Sequence, residues 1–287
     1  MKIGVSSYSF QQYISSGKMT QFDCISKAKE IGFDAIEFTD LTPPDGLTQA
    51  EFAKQLKEEA DKQGIEIVNY AVGSNLVYES EEEFDKIVTD VKKQLDIAKI
   101  LGVKIMRHDA TFDLKGEKGF DLALPKLVRC IREITEYGKK LGIKTMIENH
   151  GFICQDSDRV ERLYNAVNHE NFGLLVDMGN FTCVDEDPAK AVSRVGRYAF
   201  HLHAKDMLFK SFYEANDENG FFETRACNKL RGAVLGCGIV PVKQCIAIMK
   251  KHGYKGDIAL EFEGKEDCIY GVTVGLKVLR KYIEELY

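Results

Sequence analysis

The 287-residue sequence lacks the segments that would direct a protein to a membrane or to a nucleic acid. No apolar run approaches the roughly 18 residues that a membrane-spanning helix needs, and the N-terminus has no apolar signal-peptide core. No long run of lysine and arginine is present, and the formal net charge is −6, which argues against a surface for nucleic-acid phosphates. These absences predict a cytoplasmic protein that binds neither membranes nor nucleic acids.

Two cofactor-binding motifs are absent as well. The eight cysteines are scattered and none forms a C-x-x-C pair, so a zinc knuckle is not expected. Scattered cysteines without a secretory signal fit a reducing compartment, where most of them serve as small core residues. No G-x-G-x-x-G follows a strand-like run, which argues against a dinucleotide-binding fold.

What the sequence does contain is a repeated unit of a β-rich apolar run, a loop and an amphipathic segment. The predicted strands are Ile3–Ser9, Phe33–Phe38, Ile65–Ala71, Val103–Arg107, Ile143–Glu148, Phe172–Asp177, Ala199–His203 and Ile258–Phe262. Predicted helices include Gln49–Gln63, Glu81–Leu101, Leu122–Leu141, Val242–His252 and Tyr270–Leu286. Strict alternation predicts a parallel sheet, and eight units predict the α/β class with a single (β/α)₈ TIM barrel over residues 1–287.

The residues that end the predicted helices support this assignment. Several predicted helices end at a glycine directly before the next strand, as at Gly32, Gly64, Gly102 and Gly142, which is typical of a left-handed C-cap. One long segment, Met207–Leu235, shows no such pattern and is predicted to be irregular, with the polar run 216–220 at its centre. A loop of this length in a compact domain is usually functional or mobile.

Ionisable residues stand where four consecutive predicted strands end: Glu148, Asp177, His203 and Glu261. In a barrel, these ends meet at one face, which carries the active site. Three carboxylates and one imidazole predict a site for one divalent metal, Mn²⁺ or Mg²⁺ first, with Co²⁺ or Zn²⁺ as alternatives. Any one of these residues alone would be read as a helix cap or a loop acceptor. All four together favour a metal site.

The motifs MIENHG (146–151), LLVDMGN (174–180), HLHAKD (201–206) and the run 235–264 resemble, in order and spacing, those of the xylose isomerase-like barrels. This group comprises sugar phosphate isomerases and epimerases, and also endonuclease IV. The resemblance implies that the metal, Mn²⁺ by preference, is bound by Glu148, Asp177, His203 and Glu261. It also implies that Glu148 and Glu261 act as acid and base on a small carbohydrate through an enediolate, and that the protein is a homo-oligomer.

Other activities on the same scaffold stay open. A lyase is the main alternative: an inosose or dehydroshikimate dehydratase, or a deglycosidase of 3-oxo-glycosides. Ketose 3-epimerases carry a histidine and an arginine at the positions of Asn180 and Phe209, which argues against a free-ketohexose 3-epimerase. An endonuclease IV-like DNA-repair enzyme is disfavoured because no histidine occurs between His203 and His252. A barrel that only binds a ligand is disfavoured by the intact set of four ligands.

Further candidates flank the ligand set. His150 is a candidate catalytic residue, as a proton shuttle or substrate contact, and the candidate substrate-binding residues are His108, Asn180, Lys205 and Glu37. Structural roles remain alternatives: His108 and His150 could order loops, Lys205 could pair with Asp206, and Arg107 could fill a barrel layer. Strand alternation puts His201 on the same side as His203 and about 6.6 Å below it. We therefore expect His201 to support the site, by hydrogen bonding a ligand carboxylate.

Overall fold

The computed structural model of the protein describes residues 1–214 and 220–287. Its strands, in chain order, are β1 (Ile3–Ser6), β2 (Ala35–Thr39), β3 (Glu66–Val72), β4 (Ile105–His108), β5 (Lys144–Glu148), β6 (Phe172–Asp177), β7 (Ala199–Ala204), β8 (Asp206–Lys210), β9 (Phe222–Glu223), β10 (Lys229–Ala233) and β11 (Ile258–Leu260). Eight of these strands pair in parallel and close a barrel in the order β1-β11-β7-β6-β5-β4-β3-β2. The predicted TIM barrel is confirmed.

Helices cover the outside of the barrel. They are α1 (Gln11–Ser15), α2 (Asp23–Ile31), α3 (Gln49–Gln63), α4 (Glu81–Leu101), α5 (Phe120–Leu141), α6 (Ser157–Val167), α7 (Pro188–Val195), α8 (Val242–Lys251) and α9 (Cys268–Leu286). The four predicted glycine C-caps are left-handed, with φ between 63° at Gly64 and 106° at Gly32. Within the described ranges, every helix is too short or too polar to span a lipid bilayer.

Two predicted boundaries were wrong at the mouth of the barrel. The first strand stops at Ser6 and not at Ser9, because residues Ser7–Phe10 turn into a 3₁₀ helix. The last strand stops at Leu260, so Glu261 lies directly after it, at the rim. Both changes shorten the barrel wall and leave side chains from the following loops free to line its mouth.

The segment 207–235 was predicted to be irregular, and this was wrong for its three short strands. β8, β10 and β9 form a small antiparallel sheet in that order, with Leu230 opposite Phe209 and Gly232 opposite Met207. Of the predicted polar centre, 216–220, residues 216–219 lie outside the described ranges, and Gly220 is described.

Asp206 fixes this sheet to the barrel. Its Oδ2 accepts hydrogen bonds from the backbone N–H groups of Gly236 (2.9 Å) and Gly238 (2.8 Å). Its Oδ1 accepts from Met207 (2.9 Å) and Val240 (3.0 Å). One buried carboxylate therefore satisfies four backbone donors of a turn that would otherwise lack partners. Asp206 consequently has no ion pair with Lys205, which was one of the two roles considered for that lysine.

Candidate active site

The four predicted ligands meet at the C-terminal mouth of the barrel. Glu148 ends β5, Asp177 ends β6, His203 lies one residue before the end of β7, and Glu261 follows β11. These four strands are neighbours in the barrel, so their ends bring the side chains together. All four side chains are buried, and each offers one ligand atom within 4.8 Å of the others.

The spacing of the ligand atoms fits one shared cation. His203 Nδ1 lies 3.4 Å from Glu261 Oε2, 3.6 Å from Asp177 Oδ2 and 3.8 Å from Glu148 Oε1. The buried Nδ1 has no hydrogen-bond partner, whereas Asp177 Oδ2 lies 3.0 Å from Lys205 Nζ. With metal–ligand bonds of about 2.0–2.2 Å, neighbouring ligand atoms lie roughly 3.0–3.6 Å apart. The donor set and its separations therefore fit a divalent metal.

A buried carboxylate holds the imidazole of His203 in place. Glu37 Oε1 lies 2.7 Å from His203 Nε2, and Glu37 Oε2 lies 2.9 Å from His201 Nε2. Asn69 Nδ2 donates to the same Oε2 at 3.1 Å. Although burial opposes ionisation, the two histidines hold the pKa of Glu37 well below its ordinary range. A proton on Nε2, next to the Glu37 carboxylate, would leave the lone pair of Nδ1 facing the three carboxylates.

Two predictions change with this geometry. Glu37 was expected to contact substrate, but it is fully buried beneath His203 and does not line the cavity described below. His201 was expected to hydrogen bond a ligand carboxylate. It bonds Glu37, which lies outside the four-ligand set, and its ring meets that of His203 edge-on with the centroids 5.7 Å apart. His201 therefore supports the site through Glu37.

The backbone after β6 orients Asp177. Its Oδ1 accepts hydrogen bonds from the N–H groups of Gly179 (2.7 Å) and Asn180 (3.0 Å), which leaves Oδ2 directed to the cluster. Asn149, next to Glu148, joins β5 to β6 by exchanging two 2.9 Å hydrogen bonds with the backbone of Asp177. The motifs 146–151 and 174–180 thus fix each other's position.

The two carboxylate oxygens of Glu148 contact different partners. Arg107 approaches Oε2 at 2.6 Å, and Asn180 Nδ2 donates to Oε1 at 2.9 Å. Burial raises the pKa of Glu148, while Arg107 and His203 oppose that rise. Asn180 was predicted to bind substrate, but the structure places it behind Glu148, away from the cavity lining. Arg107, considered as a barrel-layer residue, instead lines the cavity.

Lys205 points into the ligand cluster. Its ammonium lies 2.6 Å from Glu261 Oε2, 2.8 Å from Glu263 Oε1, 3.0 Å from Asp177 Oδ2 and 3.1 Å from Asn180 Oδ1. Burial opposes the charge of Lys205, but these carboxylates raise its pKa well above the ordinary value. The same lysine lowers the pKa of Glu261 and Asp177 despite their burial. These directions keep Lys205, Glu261 and Asp177 charged near neutral pH.

Above the cluster lies a cavity of about 290 Å³, at the small end of the range for ligand pockets. The predicted residues in its lining are Glu148, His150, His203, Lys205 and Glu261. Residues in the lining that we had not assigned to the site are Tyr8, Thr39, Asp40, Arg107, Asp109, Phe112 and Glu263. Arg107, Asp109 and Glu263 stood at predicted strand ends, which was a usable signal. Thr39, Asp40 and Phe112 come from a strand end or loops without a motif, and Tyr8 comes from the 3₁₀ helix after β1.

His150 and His108 differ in their surroundings. His150 lines the cavity with 41% of its side chain exposed, and its Nδ1 lies 2.9 Å from Asp109 Oδ1. Burial opposes its charge, but Asp109 and Glu148 raise the pKa of His150. His108, by contrast, is fully buried and bonds the carbonyl of Asp109 at 3.0 Å. Burial lowers the pKa of His108 to about 4, so it is neutral and lies too deep for the substrate contact expected of it.

Comparison with known proteins agrees with the barrel fold. The family described as xylose isomerase-like TIM barrel matches residues 25–282. An inosose dehydratase from Glaesserella parasuis is 24% identical over 277 residues, covering 92% of this chain and 89% of that protein. The crystal structure of the IOLI protein with a bound zinc atom superposes with a TM-score of 0.78 at 16% identity, covering 100% and 99% of the two chains. D-psicose 3-epimerase from Clostridium cellulolyticum, crystallised with D-tagatose, gives 0.75 at 16% identity, covering 99% of both.

Proposed function

The chain belongs to the xylose isomerase-like TIM-barrel family, and we propose that it is a metal-dependent isomerase or epimerase of a small polyhydroxy carbonyl compound. The observation that carries the proposal is the buried cluster of Glu148, Asp177, His203 and Glu261, whose unpaired Nδ1 faces three carboxylate oxygens. Relatives with this scaffold include an epimerase and a dehydratase, so an enzyme is the expected outcome.

The four side chains would hold one divalent cation, which we propose to be Mn²⁺ because three carboxylates and one imidazole form a hard donor set. Zinc is the main alternative, in view of the zinc atom bound by the IOLI protein. When bound, the cation would supply charge stabilisation to a carbonyl oxygen of the substrate.

The protein's own residues would move the proton. Glu148 and Glu261 come from strands on either side of β6 and β7 and lie at the floor of the cavity. We propose that one of them removes the proton next to the carbonyl and that the other, or the same one, returns it. Arg107 fixes the position of Glu148, which reduces the entropic cost of alignment. Lys205 offers N–H groups next to the developing negative charge.

Deuterium exchange tests this proposal. With the metal-loaded protein in D₂O, ketoses and inososes should be screened by NMR for exchange of the α-proton. Glu148→Gln and Glu261→Gln should each abolish exchange with the accepted substrate. Glu136→Gln removes an equivalent charge from the exposed side of α5 and should exchange like the native protein. Full exchange in both site variants would refute the acid–base assignment, and elemental analysis without a bound divalent metal would refute the site.

A lyase is the second candidate, favoured by the similarity to an inosose dehydratase and by the position of His150. Proton removal by a glutamate is common to both reactions, and a lyase differs in expelling a β-hydroxyl as water. His150 lies at the cavity surface, where it could donate the proton that the departing hydroxyl needs. Product analysis decides: an unsaturated or dehydrated product from an inosose would identify the lyase, and a product of unchanged mass the isomerase.

We also propose a cytoplasmic location, supported by eight cysteines that are all unpaired. The homo-oligomer expected from the family resemblance stays a prediction.

A further inference from the structure

We infer that the substrate is an uncharged polyhydroxy compound and not a phosphorylated or carboxylated one. This inference rests on the proposed function, since it concerns the same cavity. It narrows the substrate class within a family whose name leaves sugars and sugar phosphates equally open. Three observations support it. Carboxylates outnumber cations around the cavity, Arg107 and Lys205 are already bound by protein acceptors, and the rim offers carboxylates that accept hydrogen bonds from hydroxyl groups.

Negative charge is in excess around the cavity. Among the described residues, the carboxylates that line or adjoin it are Asp40, Asp109, Glu148, Asp177, Glu261 and Glu263. The permanent cations in the lining are two, Arg107 and Lys205. Carboxylates therefore outnumber the permanent cations of the lining, and an anionic substrate would meet repulsion from those that are ionised.

Protein acceptors engage both terminal nitrogens of Arg107. One terminal nitrogen donates to the carbonyl of Val72 and to Asp109 Oδ2, both at 3.1 Å. The other lies 2.6 Å from Glu148 Oε2 and 2.7 Å from Asp109 Oδ1. The remaining donor, Nε, is buried and has no hydrogen-bond partner. A carboxylate or phosphate could bind the terminal nitrogens of this guanidinium only by displacing Asp109 or Glu148, both of which are buried.

Lys205 is equally engaged. Its three N–H groups face four acceptors, on Glu261, Glu263, Asp177 and Asn180. If a metal drew the oxygens of Asp177 and Glu261 toward itself, Glu263 and Asn180 would still hold two N–H groups. One N–H would then be available, which suits a carbonyl or hydroxyl oxygen but not the three oxygens of a phosphate.

The rim offers acceptors for hydroxyl groups. Asp40 binds the Gly73 N–H with its two oxygens at 3.2 and 3.1 Å and keeps further lone pairs toward the cavity. Glu263 is 31% exposed and meets Lys205 through Oε1. Ionised carboxylates only accept hydrogen bonds. A polyol supplies O–H donors to them, whereas a fully ionised phosphate supplies none.

Matched substrates test the inference. The Mn²⁺-loaded protein should be given D-fructose with D-fructose 6-phosphate, and scyllo-inosose with 3-dehydroshikimate, and both α-proton exchange and binding by calorimetry should be measured. We expect the neutral member of at least one pair to be preferred by roughly 100-fold in kcat/KM. Inorganic phosphate, as a small anionic probe, should give no binding heat at millimolar concentration.

The double variant Asp40→Asn/Glu263→Gln removes two rim charges and should shift the neutral-to-anionic preference by about tenfold toward the anionic compound. Its shape is close to that of the native pair, so a preference that does not move would count against the charge argument. Equal or better use of an anionic substrate by the native protein would overturn the inference and leave the proposed function intact. Absence of α-proton exchange with every compound would refute the proposed function itself, and this inference with it.

Discussion

Replacing Glu37 by glutamine removes no metal ligand, yet we expect it to weaken metal binding substantially. In the native protein, Oε2 of Glu37 accepts from both His201 and Asn69. Glutamine has one carbonyl oxygen, and these two donors favour placing it at that position. The NH₂ group would then face His203 Nε2, at the position of Oε1, which lies 2.7 Å from that nitrogen.

The glutamine NH₂ group and an Nε2–H of His203 are both donors and cannot hydrogen bond to each other. His203 would therefore have to be deprotonated at Nε2 and carry its proton on Nδ1. That proton would point at Glu148, Asp177 and Glu261 and block the lone pair that a metal needs. Loss of such an orienting partner typically costs 10–100-fold in metal affinity, or about 1.4–2.7 kcal/mol.

Thermal or urea unfolding with and without Mn²⁺ measures this effect. At a metal concentration of about 100 times the native Kd, the native protein gains about 2.7 kcal/mol. A variant with 100-fold weaker binding would gain about 0.4 kcal/mol under the same conditions. Glu148→Gln, which removes a ligand, gives the scale for a direct loss, and exposed Glu136→Gln serves as the control. Native metal affinity in a correctly folded Glu37→Gln variant would refute the role of Glu37 as the residue that orients His203.

Three further predictions concern stability and assembly. Asp206→Asn places an amide NH₂ against backbone donors in the turn at Gly236 and Gly238, and should lower the free energy of unfolding in urea by about 2–4 kcal/mol. Burial lowers the pKa of His108 to about 4 in the folded protein. In the unfolded chain this histidine has its ordinary pKa near 6.5, so between about pH 6.5 and pH 4 it is protonated in the unfolded chain but not in the folded one. Stability should therefore fall as pH drops through this window, by up to about 3 kcal/mol, and His108→Gln should flatten that part of the profile. Light scattering should give a mass of at least twice 32.4 kDa if the expected homo-oligomer forms, and a monomer mass would contradict that expectation.

Much of the barrel was predictable because its signals are local. Apolar runs of strand length, amphipathic helices and glycine C-caps each lie within a few residues of one another, and the cap conformations at Gly32 and Gly142 followed from sequence alone. The segment 207–235 was the exception. Its small sheet depends on pairing between β8 and β10 and on the contacts that Asp206 makes about 30 residues along the chain.

The ligand set was likewise readable from sequence, because alternation fixes which residues of a strand face the barrel interior and the strand ends mark the mouth. This predicted Glu148, Asp177, His203 and Glu261 as a group, and their meeting in the fold supports that prediction. Alternation also placed His201 correctly below His203, although it could not name the partner of His201.

Only the tertiary structure decided which side chains meet across the barrel. Glu37 lies 164 residues before His201 and reaches it from β2, with β1 and β11 between their strands. Arg107 reaches Glu148 from the neighbouring strand, and Lys205 turns to the cluster while Asp206 turns to a loop. These choices depend on the stagger and tilt of the closed barrel, which set cross-barrel distances. Sequence periodicity gives the face on which a residue lies, but the partner on that face follows from how the strands are staggered when the barrel closes.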